Sequence, residues 1–145
     1  MEFTLRRLLK ISLFNLLLVA SIGVVLRYKI LYSLPFVDQK QLLHGHSHFA
    51  FAGWIAHTLM VLFVAYLSRY RQRDEFKKYK YVLIINLISA YGMLLSFPVQ
   101  GYGLVSISFS TLSVFTFYFI FNFFDKKASI RSFSWIFFAA SLLRI

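Results

Sequence analysis

The stretch Leu42-Leu43-His44-Gly45-His46-Ser47-His48-Phe49-Ala50-Phe51-Ala52-Gly53-Trp54-Ile55-Ala56-His57 holds all four histidines of the chain. It also opens an apolar segment that continues through Thr58 to Leu67. An imidazole inside a hydrocarbon-bound helix is costly, so each one there is a candidate functional group. The remaining segments read as what holds this helix and completes its site.

Composition sets the class. Of 145 residues, 59% are hydrophobic, 20% aromatic and 14% charged. The charged share is about half that of a soluble domain. Long apolar runs recur, so the expected fold is all-α, a polytopic transmembrane helix bundle with about five helices, forming one transmembrane domain over residues 1–145. The net charge of +11 does not indicate a nucleic-acid partner, because the charges lie between apolar runs rather than on one patch. The partner implied is membrane lipid. There is no cysteine, hence no disulfide and no thiolate site. Imidazole, with Met thioether, is what remains to bind a soft or borderline metal.

Working outward from the histidine stretch, helix two is expected over Leu42 to Ser68. Before it, residues 8–27 read as a retained first helix: Ile11 to Leu26 is long for a signal-peptide core and no clean cleavage site follows. Ser12, Asn15 and Gly23 would turn toward neighbouring helices. Tyr28 to Gln41 is a connector, broken by Pro35 and carrying interfacial Tyr28, Tyr32 and Phe36. After helix two come a basic loop, Arg69 to Lys80, and helix three, Tyr81 to Val99. A turn at Gln100-Gly101-Tyr102-Gly103 leads to helix four, Leu104 to Phe124. A second basic loop spans Asp125 to Arg131, and a fifth apolar run begins near Ser132.

The basic residues predict orientation. With the N-terminus in the cytoplasm, Arg6, Arg7, Lys10, Arg69, Arg71, Arg73, Lys77, Lys78, Lys80, Lys126, Lys127 and Arg131 are inside, and Arg27, Lys29 and Lys40 are outside. Such an excess follows the positive-inside rule. It places His44, His46 and His48 at the outer end of helix two. The last run, Phe133 to Ile145, has 13 residues. That is about 20 Å of helix against a hydrocarbon core of about 30 Å. The expectation is that these residues are the N-terminal part of a larger polytopic protein.

At 100° and 1.5 Å per residue, His44 and His48 share one face, about 6 Å apart in height. His46 lies about 160° from both, and His57 about 20° from His46 but roughly 16 Å deeper. His44 and His48 can therefore share a metal ion, whereas His46 and His57 cannot. Three readings follow. His48 or His44 is an axial ligand of a haem walled by Phe49, Phe51 and Trp54, with Gly45, Ala50, Ala52 and Gly53 leaving room for a flat macrocycle or a close helix. Or His44 and His48 bind copper or zinc, with His57, Asn86, Ser89 and Ser96 lining a path. Or the imidazoles are structural.

The run Leu43 to Trp54 resembles the second helix of divergent bacterial membrane proteins similar to haem–copper oxidase subunit I. It is more distantly similar to the cbb3-type oxidase, nitric-oxide reductase and NnrS-like groups. Phe97-Pro98-Val99-Gln100-Gly101-Tyr102 looks like the family's helix-three end. The resemblance implies a multi-pass protein of the bacterial cytoplasmic (inner) membrane, an outer helix-two histidine on a b-type haem, possible copper, and electron transfer toward oxygen or nitric oxide. His48, the deepest of the cluster, is the preferred cofactor-binding residue, with His44 and His46 as alternates. Neighbours at i, i+4 cannot occupy both axial positions of one iron. Met93, at about the depth of His48, is the one internal candidate for the second position, and packing filler is its plainer role. Further ligands would come from additional helices or from oxidase-like subunits. The family's full centre uses histidines on later helices, so no complete catalytic centre is expected in these residues.

Overall fold

A computed structural model describes residues 2–125, and they form helices with no strand among them. There are four: α1 (Glu2–Leu31), α2 (Gln39–Arg71), α3 (Phe76–Gln100) and α4 (Leu104–Asp125). The expected fifth run and the basic residues from 126 onward lie outside the described residues. Three segments, Thr4–Leu31, Gln39–Arg71 and Phe76–Gln100, are long and apolar enough to cross a membrane. At 1.5 Å per residue the shortest of them, 25 residues, spans about 37 Å, more than the hydrocarbon core of about 30 Å.

The burial pattern suits lipid. Leu13, Leu17, Val24, Leu59, Leu62, Ile88, Leu95 and Phe115 face outward, whereas Ser12, Asn15, His57, Asn86, Ser89, Ser106 and Ser113 are buried. Polar side chains inside and aliphatic ones outside reverse the soluble arrangement, and small polar groups at helix contacts allow close approach.

The helices run past the expected ends. α1 continues through Tyr28 to Leu31, so the connector before α2 is short. Tyr28 and Tyr32 are one turn apart and stack at 4.6 Å between centroids. Asp38 starts α2 by accepting the Gln41 N–H at 2.8 Å. α2 ends where Gln72 turns left-handed at φ 52° and the Arg73 N–H reaches back to the Ser68 carbonyl. The basic loop is shorter than expected, because Phe76 to Lys80 already belong to α3. Phe76 and Tyr79 are buried there while Lys77, Lys78 and Lys80 stay on the outer face. Pro98 is accommodated in the last turn of α3. Gly101 closes that helix at φ 61°, its N–H donating to the Phe97 carbonyl at 2.8 Å. A side chain at Gly101 would be strained.

α2 is not uniform. Gln39–Phe49 is α-helical, Ala50–Ala56 forms a π-helical turn, and His57–Arg71 is α-helical again. Two apolar clusters flank this region. One joins Val19, Phe49, Ala52, Ala90, Met93 and Phe97. The other joins Met60, Val61, Val64, Tyr79, Leu83 and Ile120 among others. Between them lies a polar layer. The Asn15 amide of α1 donates to the Gly53 carbonyl, and the Asn86 amide of α3 donates to the Ala52 carbonyl at 3.1 Å. Asn15 Oδ1 accepts the Tyr91 hydroxyl at 2.6 Å, and Asn86 Oδ1 lies 3.3 Å from the Thr116 hydroxyl. Two consecutive carbonyls of the wide turn are thus held by amides from two other helices.

Candidate functional site

The histidines of α2 separate onto different neighbours. His44 and His48, both in the α-helical part, face α3 and the α3–α4 turn. The His48 ring stacks on Phe97, with centroids 4.5 Å apart and planes 13° from parallel. His44 meets Tyr102 edge-on at 4.8 Å, and Tyr102 Oη lies 3.2 Å from His44 Nδ1. Phe97 and Tyr102 are themselves perpendicular at 5.2 Å, so two aromatic rings hold two imidazoles. His46 lies instead against α1, where a Cβ on Gly23 would come 3.5 Å from its Cε1.

The chemistry left open differs among them. When Nδ1–H of His44 donates to Tyr102, its Nε2 lone pair is free for a metal, the usual way an outer hydrogen bond orients a ligating imidazole. His48 is held by its ring face, and among the described residues no hydrogen bond engages its nitrogens. His46 Nδ1 is buried without a partner. His57 is fully buried, and neither of its ring nitrogens has a partner. His46 and His57 stand on opposite sides of the π-helical turn. The uniform 100° step used to relate them in the sequence does not carry across it, because an i→i+5 turn holds more residues than an α-turn.

Of the two uses the small residues allow, a flat macrocycle or a close helix, the α2–α3 contact shows the close helix. Phe49 points into the bundle and is fully buried, while Phe51 is 51% exposed on the other side of the helix. They cannot form one wall. The room expected at Gly45 is taken by Pro98 and Phe97, whose atoms would lie 3.3 and 3.4 Å from an added Cβ. The room at Gly53 is taken by the Phe49 ring, 2.7 Å from such a Cβ. The imidazole donors fit iron, and the α2–α3 contact does not fit a porphyrin. Met93 is 1% exposed within the cluster that includes Phe49, Ala52 and Phe97, a packing environment for its thioether. Among the described residues no group of three or more His, Cys, Asp or Glu side chains gathers as a metal site.

The sequence pointed to the clustered histidines. It did not show that Tyr102 would orient His44, or that Asn15, Asn86 and Tyr91 would form one layer around a wide turn. The available signal was an amide inside each of two apolar runs. Fold and site together define a helical protein of membrane-spanning character with an imidazole pair at one end of its second helix. No family model matches the chain, and neither does any curated protein or solved structure.

Proposed function

We propose that the chain is the histidine-bearing part of a haem-binding protein of the bacterial cytoplasmic membrane, with its N-terminus inside and a role in electron transfer toward oxygen or nitric oxide. The supporting observation is the state of the imidazoles: His48 is fixed by stacking on Phe97 with both nitrogens uncommitted. An imidazole so held is ready to ligate, and its fixed ring plane sets the direction of approach. A bound haem would supply one-electron chemistry, its potential set by axial ligands and burial. Because α2 and α3 are closed against each other, the rest of a haem pocket around His48 would have to come from further helices or oxidase-like subunits. All four histidines lie on α2, so a second imidazole ligand would come from the same source.

A second reading has its own support. His44, oriented by Tyr102, and His48, one turn on, form a two-imidazole pair suited to copper or zinc. One purification separates the two readings. The haem reading expects a b-type reduced-minus-oxidised spectrum that His48→Ala abolishes. The metal reading expects stoichiometric copper or zinc, no porphyrin, and loss of metal in both His44→Ala and His48→Ala. A colourless, metal-free protein refutes both and leaves a structural subunit.

A further inference from the structure

The α1–α2 contact carries a line of polar groups distinct from the His44–His48 pair. The two helices run antiparallel, and three contacts lie along the seam. The Gln39 amide reaches the Leu26 carbonyl at 3.5 Å, His46 lies over Gly23, and Asn15 donates to the Gly53 carbonyl. On α2 these positions are seven residues apart, and His57 follows four later. On α1, Ser12 is three residues back from Asn15, and the antiparallel course of the two helices brings it toward the level of His57. Ser12 is buried, and its hydroxyl donates to the Leu8 carbonyl at 3.2 Å, which leaves its oxygen able to accept.

Most of the unsatisfied polar atoms among the described residues belong to α2. Six buried side-chain atoms among the described residues have no hydrogen-bond partner, and four of them are Gln39 Oε1, His46 Nδ1, His57 Nδ1 and His57 Nε2. Buried polar groups are ordinarily bonded, and a neutral imidazole offers one donor and one acceptor. Gaps of 7 and then 4 residues on α2 would be about 10 Å and about 6 Å in a regular helix and are shorter through the wide turn, distances that one to three waters bridge. The seam has no carboxylate below Asp38 at its mouth, since the other acids are Glu2, Asp74, Glu75 and Asp125. A metal cation inside it would lack a counter-charge. Water suits both the spacing and the neutrality.

We infer that the α1–α2 seam is a hydrated passage from the Gln39 end of the bundle to His57, so that His57 exchanges its ring proton with water from mid-helix. This is independent of any haem or metal at His44 and His48, which face α3.

The chain lacks cysteine, so single thiols report water access directly. The variants are Gly23→Cys at the His46 level, Ser12→Cys toward the His57 level, and outward-facing Leu17→Cys, whose parent residue is 61% exposed. Each is made in the full chain, reconstituted in vesicles and treated with a small cationic methanethiosulfonate. Thiolates form only where water reaches, so Gly23→Cys and Ser12→Cys react about tenfold or more faster than Leu17→Cys. A Ser12→Cys rate no higher than that of Leu17→Cys overturns the passage. Should Ser12→Cys fail to assemble, the unaltered protein labelled with ¹⁵N-histidine gives the second test. Magnetisation transfers from mobile water to the His57 ring N–H in water-edited solid-state NMR if the passage exists. Its absence refutes it.

Discussion

Asn15 is the residue whose replacement tests the polar layer most directly. Asn15→Leu keeps the branched outline of the side chain, with bulkier methyl groups, and removes two hydrogen bonds at once, to the Gly53 carbonyl and from the Tyr91 hydroxyl. Hydrogen bonds between membrane helices contribute about 0.6 kcal/mol on average and up to about 1.7. Two such bonds give an expected loss of about 1–3 kcal/mol. The upper part of that range applies here, because Asn15 is fully buried and Gly53 sits in a wide turn. Reversible unfolding in mixed detergent micelles measures the loss. Adding Tyr91→Phe completes a double-mutant cycle, whose coupling should be about 0.5–1.5 kcal/mol for the 2.6 Å bond. Additivity within about 0.3 kcal/mol, or an Asn15→Leu variant as stable as the parent, would show that the layer does not fasten the bundle.

Other substitutions follow from the same contacts. Gly92→Ala puts a Cβ 2.6 Å from the Phe109 ring on α4, and should cost about 1–3 kcal/mol in the same assay by forcing that ring aside. Gly45→Ala meets Pro98 at 3.3 Å and should cost clearly less; equal losses would mean that the α3–α4 contact yields as easily as α2–α3. Gly101→Ala, at φ 61°, should destabilise by about 1 kcal/mol or more through strain in the α3–α4 turn. It should also loosen the Tyr102–His44 contact, read as a change in the His44 ring nitrogen shifts.

The helical, membrane-spanning character was legible because hydrocarbon imposes long apolar runs, and those runs survive any detail of packing. Boundaries were less legible. Tyr28 to Leu31 looked like loop because aromatic residues suit the interface, yet nothing there stops a helix before Pro35. Phe76 to Lys80 looked like basic loop because the charges dominate the count. The burial of Phe76 and Tyr79 on one side makes it the start of α3. The two faces of the histidine cluster were legible, since His44, His46 and His48 share one regular α-helical stretch. The π-helical turn was not. Ala50 to Ala56 contains no proline, and the amides gripping its carbonyls come from Asn15 and Asn86, 38 and 34 residues away. No local pattern announces a partner at that separation. The small residues were half legible for a similar reason: they indicated room for a flat macrocycle or a close helix, but only the fold shows that Pro98 and Phe97 close on Gly45 and the Phe49 ring on Gly53.

The wide turn in α2 also bears on how the segment tolerates a change of length. It accommodates more residues than an α-turn would over the same rise. Deleting one residue between Ala50 and Ala56 would therefore let the helix close to a regular repeat while His57, Met60 and Val64 keep their places in the interior. The same deletion in the regular stretch from His57 onward has no surplus residue to absorb it, and would turn everything after it by about 100°. The wide turn is thus where the segment can lose a residue with least harm to the lower half of the bundle, the loss falling on the two carbonyls that Asn15 and Asn86 hold.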